Sequence, residues 1–99
     1  MNIQNLMQQA QKMQNEIMKK KEELNKKEFS GESELVKLTM NGKKEILKVD
    51  ILNKESFDLD DLDMLEDMIL IASKNAIEKI DKEFESVMGK YGSALNGLM

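Results

Sequence analysis

Along the first quarter of the chain, apolar residues stand at Ile3, Leu6, Ala10, Met13, Ile17 and Leu24, with Lys20 in the slot between the last two. The intervals alternate between three and four residues. That is the seam of a coiled coil, narrower than the stripe of a helix lying on a globular core. Residues 1–26 are therefore predicted as a helix, with positions 3–25 making a rod of roughly 34 Å. A seam this narrow buries little by itself and asks for a partner helix. Lys20 and Lys27 share one seam position and weaken its C-terminal end.

The period changes after Lys26. Leu35-Val36-Lys37-Leu38-Thr39-Met40 and Lys44-Glu45-Ile46-Leu47-Lys48-Val49-Asp50-Ile51 alternate about the dipeptide Asn41-Gly42. Asn-Gly suits the two positive-φ positions of a two-residue type I′ hairpin turn. That turn would pair Met40 with Lys43, Leu38 with Glu45 and Val36 with Leu47. One face then carries Val36, Leu38, Met40, Leu47, Val49 and Ile51, with Glu45 and Lys43 near the turn. The other carries Lys37, Thr39, Lys44, Lys48 and Asp50, plus Leu35 and Ile46; it is mostly polar and net basic, so the sheet is one-sided. A shorter strand near Lys26–Ser30, turning at Gly31-Glu32-Ser33, would add Phe29 to the apolar face opposite Val36. The predicted sheet spans residues 27–52.

Helical spacing returns with Leu62, Leu65, Met68, Ile69, Ala72, Ala76, Ile77, Ile80, Phe84 and Val87, predicting a helix over 60–88 whose broad apolar face covers the sheet. Gly89, Gly92 and Gly97 loosen residues 89–99 into a frayed tail. The fold class is α+β: one domain over 1–99, with long terminal helices flanking a three-stranded antiparallel meander in the order α-β-β-β-α.

Composition narrows the chemistry. With no His and no Cys, the chain has no neutral-pH proton shuttle, thiol nucleophile, disulfide or thiolate metal site. No G-x-G-x-x-G or P-loop pattern occurs, so no nucleotide cofactor is expected and the chain reads as non-enzymatic. The acidic run Asp58-Leu59-Asp60-Asp61-Leu62-Asp63 invites comparison with a Ca²⁺ loop. Counted from Asp58, however, Leu62 falls at a ligand position, Asp63 where glycine belongs and Ile69 where the bidentate Glu belongs. The run reads instead as acids at a helix N-terminus, and no metal is expected. The first ten residues lack a basic start and an apolar run, which predicts a cytoplasmic protein with no membrane partner.

Charge is unevenly placed. Residues 1–54 hold 11 Lys and 8 acids (+3), residues 55–99 hold 4 Lys and 11 acids (−7), and the two halves recover the net −4. A polyanion would have to meet a local patch in the first half. The candidates are Lys12, Lys19, Lys20, Lys21, Lys26 and Lys27 on the first helix, then Lys37, Lys44 and Lys48 on the sheet. All cations are lysine, which supplies point charge to phosphates without the planar fork that reads guanine edges. The same lysines also fit a solvated helix face, because Glu16 and Glu23 lie within three or four residues of several of them. Two functions therefore stand: a binder of duplex backbone, and a coiled-coil adaptor whose lysines are merely hydrated.

Three stretches resemble a known family. Asn5-Leu6-Met7-Gln8-Gln9-Ala10-Gln11-Lys12-Met13-Gln14 is similar to the opening helix of the YbaB/EbfC nucleoid-associated proteins. Gly31-Glu32-Ser33 followed by Leu35-Val36-Lys37-Leu38-Thr39-Met40-Asn41-Gly42-Lys43 resembles their central hairpin, and Leu65-Glu66-Asp67-Met68-Ile69 with Ala72 and Asn75-Ala76 resembles their closing helix. The resemblance implies a tweezer-like homodimer in the nucleoid that binds double-stranded DNA. It supplies the partner that the narrow seam asks for. Ile3, Leu6, Ala10, Met13 and Ile17, with Val49 and Ile51 of the sheet, are the expected dimer contacts.

Overall fold

A computed structural model describes residues 2–92 of the chain. Helix α1 (Ile3–Lys26) is followed by strands β1 (Glu28–Glu32), β2 (Val36–Asn41) and β3 (Ile46–Ile51), and helix α2 (Leu62–Met88) closes the fold. The strands form one antiparallel sheet in the order β1-β2-β3. The predicted tail lies mostly outside the described residues. Its first part, Gly89–Tyr91, makes a 3-10 turn directly after α2.

Each helix boundary has a local cause. Asn2 caps α1, its side chain accepting the Gln4 N–H at 3.0 Å. At the other end Lys27 turns extended, its N–H donating to the carbonyls of Glu23 and Leu24. Ahead of α2 the acidic run folds as a 3-10 turn over Leu59–Asp61 with a reciprocal capping box. The Asp58 side chain accepts from the Asp60 N–H, and the Asp61 carboxylate accepts from the Asp58 N–H, both at 3.3 Å. These carboxylates face their own backbone.

The sheet corrects two registers. Phe29 lies opposite Met40 rather than Val36, because the β1–β2 turn sits at Ser33–Val36, where the Ser33 N–H donates to the Val36 carbonyl at 2.9 Å. The β2–β3 turn is not type I′. Neither Asn41 nor Gly42 has positive φ; Lys44 does, at 66°. Lys44 N–H donates to the Asn41 carbonyl at 3.0 Å and Asn41 N–H to the Glu45 carbonyl at 3.1 Å. This is a three-residue loop with a left-handed third residue. The Asn41 side chain fixes it by accepting from the Lys43 and Glu45 N–H groups.

An odd loop alone would turn every β3 side chain to the other face. A bulge reverses that: Met40 pairs with Ile46 but Thr39 pairs with Lys48, so Leu47 is the extra residue. Val36 then faces Ile51 and Leu38 faces Val49. The apolar face survives with different partners.

Helix α2 covers that face only over β1 and β2. Phe29, Val36, Leu38 and Met40 pack with Ala72, Ala76 and Ile80 into the main core. The approach is close at Gly31, where a methyl group would overlap the carbonyl oxygen of Ala72 and the backbone nitrogen of Ala76. A second cluster joins the helices, with Ile17 and Leu24 of α1 against Met88, Phe84, Val87 and Tyr91. The protein is a rod, 71 × 18 × 16 Å, with a radius of gyration of 19.5 Å; a compact chain of this length would have about 13 Å. Burying a side chain such as Leu38, which is fully inaccessible, stabilises the fold by about 1.5–3 kcal/mol.

Much apolar surface stays uncovered. Ile3 is 71% exposed, and Leu6, Met13, Val49, Leu47 and Leu70 are also open to solvent. Ile17, expected on a subunit seam, is only 2% exposed and already occupied within its own chain. Among the described residues no helix is long and apolar enough to cross a membrane.

Candidate nucleic-acid interface

The nine candidate lysines do not form one patch. A helix repeat of 3.6 residues puts Lys12, Lys19 and Lys26 on one stripe of α1. That stripe lies opposite Ile17 and Leu24, which pack inward, and all three lysines are exposed. The stripe is roughly 21 Å long. Lys21 stands elsewhere on the helix, exposed. Lys12, Lys19 and Lys21 make no ion pair among the described residues, whereas Lys26 meets Glu22 at 3.3 Å. Such exposed pairs hold their partners weakly.

Lys20 and Lys27 sit on the flank that meets α2. Lys20 approaches Glu23 at 3.8 Å. Lys27 binds Glu83 at 2.9 Å and lies 5.6 Å from the Phe29 ring centroid. Lys44 is tied to Asp81 of α2 at 3.0 Å. The last two pairs tie the C-cap of α1 and the hairpin loop to α2, through side chains that stay about half exposed.

The polar face of the sheet is not net basic as expected. Register places Glu28, Ser30 and Glu32 beside Lys37, Thr39 and Asn41, then Lys48 and Asp50. Three acids oppose two lysines, because the β1 acids join the face and Lys44 leaves it for the loop. Lys37 lies between Glu32 and Asp50, and Lys48 meets Asp50 at 3.6 Å. This face is a poor landing surface for phosphate.

Sequence reasoning missed Lys43. The Gly42 N–H donates to the Asn25 carbonyl at 3.2 Å, docking the hairpin tip on the end of α1. Lys43 and Lys26 thereby line one open hollow of about 480 Å³, shared with Asn25, Asn41, Glu28 and Glu45. The signal was the Lys-Lys pair after Asn-Gly, but the two-residue register assigned Lys43 to the apolar face. The exposed lysine stripe is therefore the outward side of α1, interleaved with the exposed Glu16 and Glu23, and at its C-terminal end Lys26 and Lys43 share the hollow with Glu28 and Glu45.

A family model matches residues 1–95, described as the YbaB/EbfC DNA-binding family. The chain belongs to this family. It is 42% identical over 97 residues to a nucleoid-associated protein of Enterococcus faecalis, covering 97% of this chain and 93% of that one. Over 87 residues it is 47% identical to a nucleoid-associated protein of Mycoplasmopsis pulmonis, covering 88% and 86%. A nucleoid-associated protein of Clostridium novyi is 45% identical over 97 residues, covering 97% and 85%. Membership in the YbaB/EbfC family extends over both helices and the whole sheet, so the α1 stripe lies within the matched region.

Proposed function

We propose that this protein is a nucleoid-associated protein that binds duplex DNA through lysine–phosphate contacts, with little sequence selectivity, as a homodimer. The observation that carries the DNA reading is the position of Lys12, Lys19 and Lys26 on an exposed side of α1, opposite the packed Ile17 and Leu24. The family and the names of the relatives support the same reading. Lys26 and Lys43 extend the stripe around the hairpin tip. Lysine on phosphate carries no base information, and the chain has only three Phe and one Tyr for stacking. Contact is therefore with the duplex backbone, and binding is strongly salt-dependent.

The homodimer is supported by uncovered apolar surface: Ile3, Leu6 and Met13 on α1, Val49 on β3 and Leu70 on α2 are all exposed in the single chain. A chain of this size gains much from a shared core. Light scattering should give about twice the 11.4 kDa chain mass at micromolar concentration. The DNA reading is tested by titrating a labelled random duplex at low and moderate salt. Absence of binding at low salt would leave the adaptor function in its place.

A further inference from the structure

The side-chain amides of α1 are gathered at one end of it. All five glutamines of the chain, with Asn2, Asn5 and Asn15, fall in residues 1–15, beside one lysine and no acid. The chain as a whole carries 19 acids. In the rest of the same helix, residues 16–26, seven of the eleven residues are charged. A helix face that meets only water gains from Glu–Lys pairs three or four apart, and this second part has them in Lys20–Glu23 and Lys26–Glu22. The first part forgoes them. An acid-free surface of amides is not repelled by a polyanion, and each amide offers both donors and an acceptor.

Residues 2–16 are all exposed, and among the described residues α1 first packs at Ile17. Gln4, Gln8, Gln11 and Asn15 recur at intervals of four, three and four, which sets them on one side of the helix. That side lies opposite Ile17 and Leu24, and Lys19 and Lys26 continue it toward the C-terminus. None of these four amide side chains hydrogen-bonds within the protein among the described residues.

We infer that the first half of α1 lies in the major groove of duplex DNA, where Gln4, Gln8, Gln11 and Asn15 contact base edges and favour adenine. The inference rests on the duplex-binding reading and adds base contacts to it. Size decides the groove. A helix with its side chains is about 10–12 Å across, which the major groove, about 12 Å wide, admits and the minor groove, about 6 Å wide, does not. Hydrogen bonding decides the base: one side-chain amide donates to adenine N7 and accepts from its N6 amino group. From Ile3 to Asn15 the helix is roughly 18 Å long, the length of about five base pairs at 3.4 Å each. A straight helix leaves the groove beyond such a length, and Glu16, Glu22 and Glu23 enter the sequence only there. Lys19 and Lys26 then meet the flanking phosphates. Glutamines that no neighbour holds fix a base loosely, so the preference is several-fold and sits on top of the backbone attraction.

Base analogues test this contact. An adenine-rich duplex, the same duplex carrying 7-deazaadenine, and a G·C duplex of equal length are titrated by fluorescence anisotropy. The proteins are wild type and the triple variant Gln4→Ala, Gln8→Ala, Gln11→Ala. 7-Deazaadenine keeps the Watson–Crick pair and removes the N7 acceptor from the major groove. Wild type should bind the adenine duplex about five- to tenfold more tightly than either of the others. The variant should bind all three alike, with the salt slope of wild type, because no phosphate contact has been removed. Alanine is the best helix former, so the denaturant midpoint of the variant should not fall. Equal binding of the three duplexes by wild type overturns the base contacts and leaves the backbone reading standing. A preference for adenine that survives 7-deazaadenine, or one that survives in the variant, overturns them as well. No binding to any duplex at low salt overturns both readings.

Discussion

The Gly42 amide donates to the Asn25 carbonyl across 3.2 Å, seating the hairpin tip against the last turn of α1. A Cβ at this position would overlap the carbonyl oxygen of Leu24 and crowd the Cα of Asn25. Glycine is required here by close approach and not by a left-handed turn. Gly42→Ala should therefore cost about 1–3 kcal/mol, as overpacking against backbone does. Gly89→Ala is the control: φ is −59° and nothing lies within 4 Å, so stability should hold or rise by about 0.4–1 kcal/mol. Denaturant midpoints of the two variants check the contrast, and equal midpoints would refute it.

Ile17 and Leu6 belong to one seam in the sequence but to different interfaces in the fold. Ile17 packs on Leu24 and Met88, so Ile17→Ala should cost the single chain about 2–5 kcal/mol. Leu6 is exposed, so Leu6→Asp should leave the unfolding midpoint of the single chain within about 0.5 kcal/mol. Any effect it has should appear as loss of association. Melting curves and sedimentation on both variants separate the roles. A neutral Ile17→Ala would mean the helix-to-helix cluster is misplaced.

Much of this architecture was legible in the sequence, and the exceptions have physical causes. Helices and strands follow from the change of hydrophobic period at Lys26 and again near Leu62, where Asp58 and Asp61 cap the 3-10 turn that leads into the second helix. Asn41-Gly42 misled because two mechanisms demand glycine, and sequence does not separate positive φ from close approach. The bulge at Leu47 then hid the error by restoring the expected face. The seam of α1 was visible, but a 3-4 pattern is the same whether its partner is another copy or the chain's own α2. The lysine stripe was visible as a period of seven. Which lysines are held was not, because Glu83 lies 56 residues from Lys27 and only the fold brings them together.

Those held lysines carry a prediction. Asp81 and Glu83 bind Lys44 and Lys27 and add negative charge beside the basic end of α1. Replacing both, Asp81→Asn with Glu83→Gln, should free the lysines and tighten duplex binding by roughly two- to fivefold at low salt. Fluorescence anisotropy on one duplex reads this directly. Weaker binding by a folded variant would mean that the pairs position the site instead of competing for it.

Asp58 and Asp61 are engaged by backbone N–H groups, and among the described residues no cluster of acids is arranged to hold a metal ion. Millimolar Ca²⁺ or a chelator should leave the melting temperature unchanged. A rise of several degrees with Ca²⁺ would replace the capping role with a binding one.

The central claim is that the outward α1 stripe meets phosphate, and a salt titration of duplex binding tests it most directly. Wild type and the triple variant Lys12→Gln, Lys19→Gln, Lys26→Gln are compared on two unrelated duplexes. Each lysine–phosphate contact contributes about 0.9 to the slope of log K against log salt. The account predicts that the variant binds both duplexes more weakly, to the same degree, with a slope shallower by up to about three contacts' worth per protomer. Equal affinity and equal slope for wild type and variant would contradict it.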